Sequence, residues 1–509
     1  MLQVRDLTIT ILRDDKTIVQ GLSFVVNDGE KCALIGEEGN GKSTLLRWLY
    51  DPGSVERYAS VTGRRHVDGK CGYLPQELPP AEADLPVREW MERCCRLSER
   101  SPKEIARAAG QLGLAPELFA EARAVRSLSG GERVKLRIAA LLLSECDVLL
   151  LDEPSNDLDI ETLEWLEGFL RSTQKTVLYV SHDEVLLENT AQMLLHFEQV
   201  RRKTIPRAAA VHLGYREYMD RREADMVHRT QVADFEHAAF RKKKDRYLSI
   251  RQSVESAQAG VSRQDPHGGA LLKKKMHAVQ SLGKRMEKEE ASLAQRPEAE
   301  WAILPKVEEG VSLKSGKTVL DLGPERLETE GRVLAENVRL FVRGPERVCI
   351  VGRNGCGKTT LMRRIAEELL PRRDIRAFYM PQRYEETLDP GMLPVDLLVP
   401  GGDREAVTKA RLYLGSMKYT TDEMEHPIGM LSGGQRAKLL LLKAILEEAN
   451  VLLLDEPTRN FSPLSAPAVR ALLNEFPGAV IAVSHDRRLI EEVMTSVYRL
   501  TPEGLVRER

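Results

Sequence analysis

Residues 128–159 read LSGGERVKLRIAALLLSECDVLLLDEPSNDLD. The two glycines after Ser129 leave backbone N–H groups bare at a tight turn, and a helix opening there aims them at an anion. From Arg133 to Ser144, apolar residues fall at Val134, Leu136, Ile138, Leu141 and Leu142, which suits a packed helix. Val148–Leu151 is an unbroken apolar run, the pattern of a buried parallel strand, and it ends in two carboxylates, Asp152 and Glu153. A phosphate-facing turn, a helix and an acid-tipped strand make the working edge of a nucleotide hydrolase.

The chain carries this edge twice. Ser432, Gly433 and Gly434 lie in LSGGQ, Asp455 and Glu456 in VLLLDEP, and His485 in VSHD. The offset is 303 residues for Ser129 to Ser432, Asp152 to Asp455 and His182 to His485. A constant offset across three motifs is an internal duplication. Each copy also opens with a glycine-rich loop. The first runs Gly36-Glu37-Glu38-Gly39-Asn40-Gly41-Lys42-Ser43 with Thr44 behind it, and the second runs Gly352-Arg353-Asn354-Gly355-Cys356-Gly357-Lys358-Thr359 with Thr360 behind it. Such a P-loop wraps phosphates in backbone N–H groups. Its lysine (Lys42, Lys358) reaches the β/γ oxygens, and its hydroxyl residue (Ser43, Thr359) binds Mg²⁺. The P-loop offset, from Lys42 to Lys358, is 316, so the first copy is longer between P-loop and signature.

A chain of 509 residues has room for two or three domains. The fold expected is α/β: tandem P-loop cassettes at 1–205 and 301–509, joined by a helical linker at 206–300. Composition is that of a soluble protein, 42% hydrophobic and 30% charged with net charge −2. No apolar run approaches the roughly 18 residues of a membrane span, and Met1–Thr10 lacks a signal-peptide pattern. Seven cysteines, odd in number and without C-x-x-C spacing, favour reduced thiols in a cytoplasmic setting.

The linker differs in character from its flanks. Tyr215–Ala259 contains no Gly or Pro, which allows one helix of about 45 residues, roughly 65 Å long. A polar turn is expected at Gly260–Gly269, then a second helix at Ala270–Arg296, interrupted only by Gly283. Residues 221–290 hold sixteen Lys/Arg against ten Asp/Glu while the whole chain is slightly negative. Such a hairpin is either a solvated spacer or a basic arm lying against RNA.

Two complete cassettes joined by a basic helical hairpin resemble the ABC-F family of ATP-binding-cassette ATPases, and EPSNDLD at 153–159 is close to that family's first-cassette motif. The resemblance covers essentially the whole chain. It implies ATP hydrolysis with ATP and Mg²⁺ bound, in a monomer whose cassettes pair head to tail. One site would combine Lys42, Ser43, Gln76, Asp152, Glu153 and His182 with Ser432, Gly433 and Gly434. The other would combine Lys358, Thr359, Gln382, Asp455, Glu456 and His485 with Ser129, Gly130 and Gly131. By the same resemblance Asp152 and Asp455, with Gln76 and Gln382, help hold the metal. Glu153 and Glu456 polarise the attacking water, while His182 and His485 contact the γ-phosphate. The implied partner is the ribosome, with the hairpin approaching 23S rRNA and the P-site tRNA, in regulating translation or displacing ribosome-targeting antibiotics. The rival is the energy subunit of a membrane importer, which needs no such hairpin.

Four departures from the family pattern stand out. Spacings of 53 residues from Gln76 to Ser129 and 50 from Gln382 to Ser432 leave no room for an inserted arm. Glu37 and Glu38 put carboxylates beside a polyanion and are expected to face away from it. The segment after the second acid pair reads Arg459-Asn460-Phe461-Ser462 against Asn156-Asp157-Leu158-Asp159, so the two sites are expected to be unequal. Finally, the first aromatic before the first P-loop is Phe24, and none lies between Trp301 and Phe341 to stack on a base.

Overall fold

Val148–Asp152 and Val451–Asp455 are strands buried at every position, as apolar runs covered on both faces must be. The computed structural model describes residues 1–13, 15–200, 205–259, 266–293, 312–329 and 331–509. The first acid strand lies in a six-stranded sheet ordered Cys71–Leu74, Val148–Asp152, Thr176–Val180, Lys31–Gly36, Met193–Val200, Ile205–Val211. Neighbours are parallel except for the last pair. The second sheet repeats that order as Ala377–Met380, Val451–Asp455, Ala479–Val483, Arg347–Val351, Ser496–Thr501, Gly504–Arg507, again with only the last pair antiparallel. In each sheet one strand separates the acid strand from the strand that feeds the P-loop. The carboxyl ends of all three therefore meet at one edge, where open α/β sheets bind ligands. Residues 206–211, assigned by sequence to the linker, form the antiparallel margin of the first sheet.

The unequal offsets have a structural origin. Lys42 to Gln76 spans 34 residues and Lys358 to Gln382 spans 24. Most of the extra ten form the nine-residue strand Ala59–Val67, which completes a three-stranded antiparallel sheet with Leu2–Ile11 and Lys16–Val26. The second cassette pairs only Thr318–Thr329 with Arg332–Arg343 among the described residues. Each antiparallel sheet packs onto its cassette's core, with Leu7, Leu46 and Leu150 in the first and Leu340, Met362 and Leu453 in the second.

The chain divides into two compact units, Met1–Tyr215 with Glu300–Arg509, and Arg216–Ala299. Tyr215–Ala259 is one helix of 45 residues, as the absence of Gly and Pro predicts. The second helix is Pro266–Ser292, four residues earlier at each end than the periodicity suggested. Pro266 suits a first helical position because its φ is preset and its missing N–H would have no partner there. Residues 260–265 of the expected turn and 294–296 of the expected helix lie outside the described residues. The helices run antiparallel: Lys243 pairs with Glu289, while Tyr247, one turn further on, meets Gly283, earlier in the second helix; Lys244 also pairs with Glu290 at 2.8 Å. Gly283 sits against Tyr247, whose hydroxyl would lie 2.7 Å from any added Cβ. Among the described residues no helix is long and apolar enough to cross a membrane, and all seven cysteines are unpaired.

Candidate nucleotide sites

The P-loops are built alike. Helices Lys42–Tyr50 and Lys358–Leu369 open behind Gly41 (φ 87°) and Gly357 (φ 104°). A side chain at Gly41 would be strained at that φ and would strike Ile18 at 2.4 Å. The lysines are buried and fold back over their own loops. Lys42 Nζ donates to the carbonyls of Gly36 at 2.7 Å and Glu37 at 2.9 Å, and Lys358 Nζ to those of Gly352 at 2.8 Å and Arg353 at 3.0 Å. Burial lowers the Lys42 pKa, and the nearby carboxylates of Glu153, Glu38 and Asp152 oppose that. Asn40 is buried and donates to the Phe197 carbonyl at 3.0 Å, pinning the first loop to its sheet. Thr44 is buried, and Cys356 stands half-buried at the place of Asn40. Gly39 and Gly355 share a φ of 78°.

The acids differ between the copies. Ser43 Oγ donates to Asp152 Oδ1 and the Tyr73 hydroxyl to Asp152 Oδ2, each at 3.0 Å. Both oxygens of Asp455 are buried without a hydrogen-bond partner, and the Tyr379 hydroxyl, at the place of Tyr73, is likewise unpartnered. Burial raises the carboxyl pKa of both aspartates. Glu153 and Glu456 hold φ values of 50° and 54°, a left-handed conformation that a glutamate rarely adopts and that clusters at functional sites. His182 Nε2 lies 2.8 Å from Glu153 Oε1. Burial alone would raise Glu153, but His182 and Lys42 hold its carboxyl below the ordinary value. His485 instead donates its backbone N–H to Glu456 Oε2 at 3.3 Å, its ring Nε2 is 3.7 Å from Oε1, and neither ring nitrogen has a hydrogen-bond partner. Burial and the charge of Asp455 push Glu456 up to about 8, while burial and Lys358 bring His485 down to about 4. Gln382 lines the cleft described next, whereas Gln76 is exposed. Tyr73 escaped the sequence reading, although a Tyr two residues before Pro-Gln occurs in both copies and could have marked it.

The two halves meet head to tail. A cleft of about 1210 Å³ brings Ser129 and Gly130 of the first copy to Lys358, Thr359, Thr360 and Glu456 of the second. Ser129 and Ser432 each cap their helices, in reciprocal boxes with Glu132 and Gln435. Asn354 donates its side-chain amide to the Asp157 carbonyl and its backbone N–H to Asp159 Oδ2 at 3.3 Å. Arg459 Nη2 reaches Asp157 Oδ1 at 2.6 Å, so the segments after the acid pairs touch each other. Gly131 packs on Thr162 and Gly433 on Asn460. On the opposite side Glu38 corrects an expectation. Its carboxylate does not turn outward but accepts the Gly434 N–H at 3.1 Å, because the bare N–H at that helix start attracts the nearest anion. Phe24 is buried in the first core at 5% exposure and is not available for stacking. Beside the P-loops stand Ile18 in the first copy and Leu327 and Leu334 in the second.

The family profile described as ABC transporter matches residues 19–156 and 335–459, and so touches both copies. Tylosin resistance ATP-binding protein TlrC of Streptomyces fradiae is 30% identical over 97% of this chain and 96% of its own length. The chain belongs to the ABC-F family. ABC transporter F family member 5 of Arabidopsis thaliana is 25% identical over 94% of this chain and 72% of its own length. ATP-binding protein Uup of Escherichia coli (strain K12) is 28% identical over 95% and 78%. Among solved structures, the complex of archaeal ribosomal stalk protein aP1 and archaeal ribosome recycling factor aABCE1 contains a chain that matches with a TM-score of 0.60. That match, 18% identical over 99% of this chain and 90% of the other, shows the shared two-cassette fold. This ABC-F protein is an ATPase whose cassettes bind ATP.

Proposed function

We propose that this ABC-F protein works on the ribosome, coupling ATP binding and hydrolysis at two shared sites to contacts made by its helical hairpin. The observation that carries the reading is the pair of helices Tyr215–Ala259 and Pro266–Ser292, which lie in the chain between two complete cassettes and within the stretch that holds the excess of Lys/Arg. A rod of that charge is suited to phosphate contacts. The name of TlrC, a tylosin resistance protein, and the ribosome recycling factor in the similar structure support the same direction. The finer reading places the hairpin near the tRNA exit region and P-site tRNA, where it regulates translation or displaces an antibiotic.

Within each site the chain's own residues divide the work. The N–H groups of Gly36–Gly41 and Gly352–Gly357, with Lys42 and Lys358, orient the phosphates, and Glu153 and Glu456 face the attacking water. The partnerless oxygens of Asp455 fit a hard divalent cation, which a buried carboxylate without a donor would favour. Thr359, Asp455 and Gln382 would hold Mg²⁺ at one site, and Ser43, Asp152 and Gln76 at the other. Bound there, it would neutralise charge developing between the β- and γ-phosphates. Purified ribosomes are expected to raise the rate of ATP hydrolysis severalfold, and a rate unchanged by ribosomes would count against the proposal.

A further inference from the structure

The two P-loops differ at positions that face the opposite cassette, and one of them, Glu38, meets the signature turn there. Glu38 and Asn354 occupy the same place, two residues after the first glycine of each loop. Asn354 is neutral: it donates to the Asp157 carbonyl and to Asp159 Oδ2, and its amide packs beside Gly130 without bringing a charge to the Ser129–Gly131 turn. Glu38 is anionic, and its carboxylate accepts the Gly434 N–H at 3.1 Å. That N–H belongs to the turn that the head-to-tail reading assigns to the terminal phosphate of a nucleotide on Lys42. The same carboxylate interacts favourably with the Lys42 ammonium. Glu38 thus engages both the signature-turn N–H and the charge of the lysine that a phosphate must reach.

We infer that Glu38 is an internal competitor for the nucleotide phosphates at the Lys42 site, so that the Lys358 site takes nucleotide first and more tightly. A phosphate entering at Lys42 must displace a carboxylate from a helix N-terminus and then lie beside its negative charge. At the Lys358 site a carboxylate of the opposite cassette is also present, Asp159 on the Asn354 N–H at 3.3 Å, but it does not occupy the opposing signature turn. The cleft there holds the Ser129–Gly130 turn and Lys358 together, and no side-chain acceptor from the second cassette bonds Gly130 or Gly131 among the described residues. At the first site Asp152 is also held on both oxygens, by Ser43 and Tyr73. The proposal rests on the assignment of each site to a P-loop and the opposing signature turn.

The test is calorimetric titration of the full chain with the non-hydrolysable analogue AMPPNP in the presence of Mg²⁺. Two binding events at least tenfold apart in Kd are expected. Lys358→Ala should remove the tight event and Lys42→Ala the weak one. Glu38→Asn, which installs the residue the second loop already carries, should tighten the weak event at least fivefold and leave the tight one within twofold. Glu38→Gln, closer in shape, should act in the same direction. Lysine variants that behave as expected beside a Glu38→Asn isotherm identical to wild type would overturn the role of Glu38 alone. If neither lysine replacement removes an event, the site assignment falls and the proposal with it.

Discussion

Arg470 of the second cassette grips Glu184 of the first through two parallel hydrogen bonds, Nη1 to Oε1 at 2.6 Å and Nη2 to Oε2 at 3.1 Å. Arg470 is buried at 6% exposure and Glu184 nearly so at 11%, and Arg470 Nε also donates to Glu492. Around them Arg487 pairs with Glu167 and Asp183, and Arg488 with Glu188. The cassettes are therefore tied by ion pairs that involve no P-loop residue. Removing one partner of a buried pair strands the other charge. Arg470→Ala is expected to lower the stability of the cassette pair by about 3 kcal/mol. Urea unfolding should show the decrease, and Arg470→Met with Glu184→Leu should recover much of it. A single variant as stable as wild type would mean the pair contributes nothing.

Glu456 gives the nucleotide-free protein a pH dependence with a definite sign. Its carboxyl rises from an ordinary 4.5 to about 8 in the folded chain. Between those values folding takes up a proton, so this contribution to stability is complete below 4.5 and is lost as pH rises through about 8. The slope within the window is at most about 1.4 kcal/mol per pH unit. Glu456→Gln, neutral throughout, should flatten the fall in Tm between pH 6 and 8. An equal fall in wild type and variant would contradict the assignment.

Base recognition should be shallow. Phe24 is buried in the core, Ile18, Leu327 and Leu334 stand against the P-loop glycines, and Thr329 and Arg332 line the Lys358 cleft, so no aromatic is placed to stack on a base there. Aliphatic contact excludes water from either purine but offers no base-specific hydrogen bond. GTP is expected to compete with ATP within about tenfold. A competition assay with strong preference for ATP would show that a polar group reads adenine.

Charge on the hairpin should set ribosome affinity. Lys273, Lys274 and Lys275 are exposed, and Arg251 is half free beside Glu255. Arg263 lies outside the described residues. Replacing all five with Gln should weaken ribosome binding and reduce its logarithmic salt slope by roughly one unit for each phosphate no longer neutralised. ATP hydrolysis without ribosomes should stay near wild type. Unchanged binding would make the hairpin a spacer and bring the importer reading forward.

What the sequence disclosed and what it hid follow from range. Val148–Asp152, Gly130–Leu143 and the 45-residue helix were legible because periodicity, capping and the absence of Gly and Pro act locally. The strand Ala59–Val67 was visible only as an unequal offset, since its partner Leu2–Ile11 is nearly 60 residues away. The direction of Glu38 could not be read at all. It depends on a helix N-terminus 396 residues later in the chain, and short-range charge logic pointed the wrong way. Tyr73 was passed over for the same reason, because its partner Asp152 is 79 residues away.

In the proposed coupling, ATP binding would commit this ABC-F protein to the ribosome and hydrolysis would release it. Glu153→Gln with Glu456→Gln keeps the shape of both acids while removing the carboxylates to which the proposal gives the attacking water. Sedimentation of this double variant through a cushion with purified ribosomes tests the claim most directly. It should pellet with ribosomes in ATP, remain in the supernatant without nucleotide, and hydrolyse ATP at least a hundredfold more slowly than wild type. A double variant that no longer hydrolyses ATP yet stays off the ribosome with and without ATP would contradict the claim.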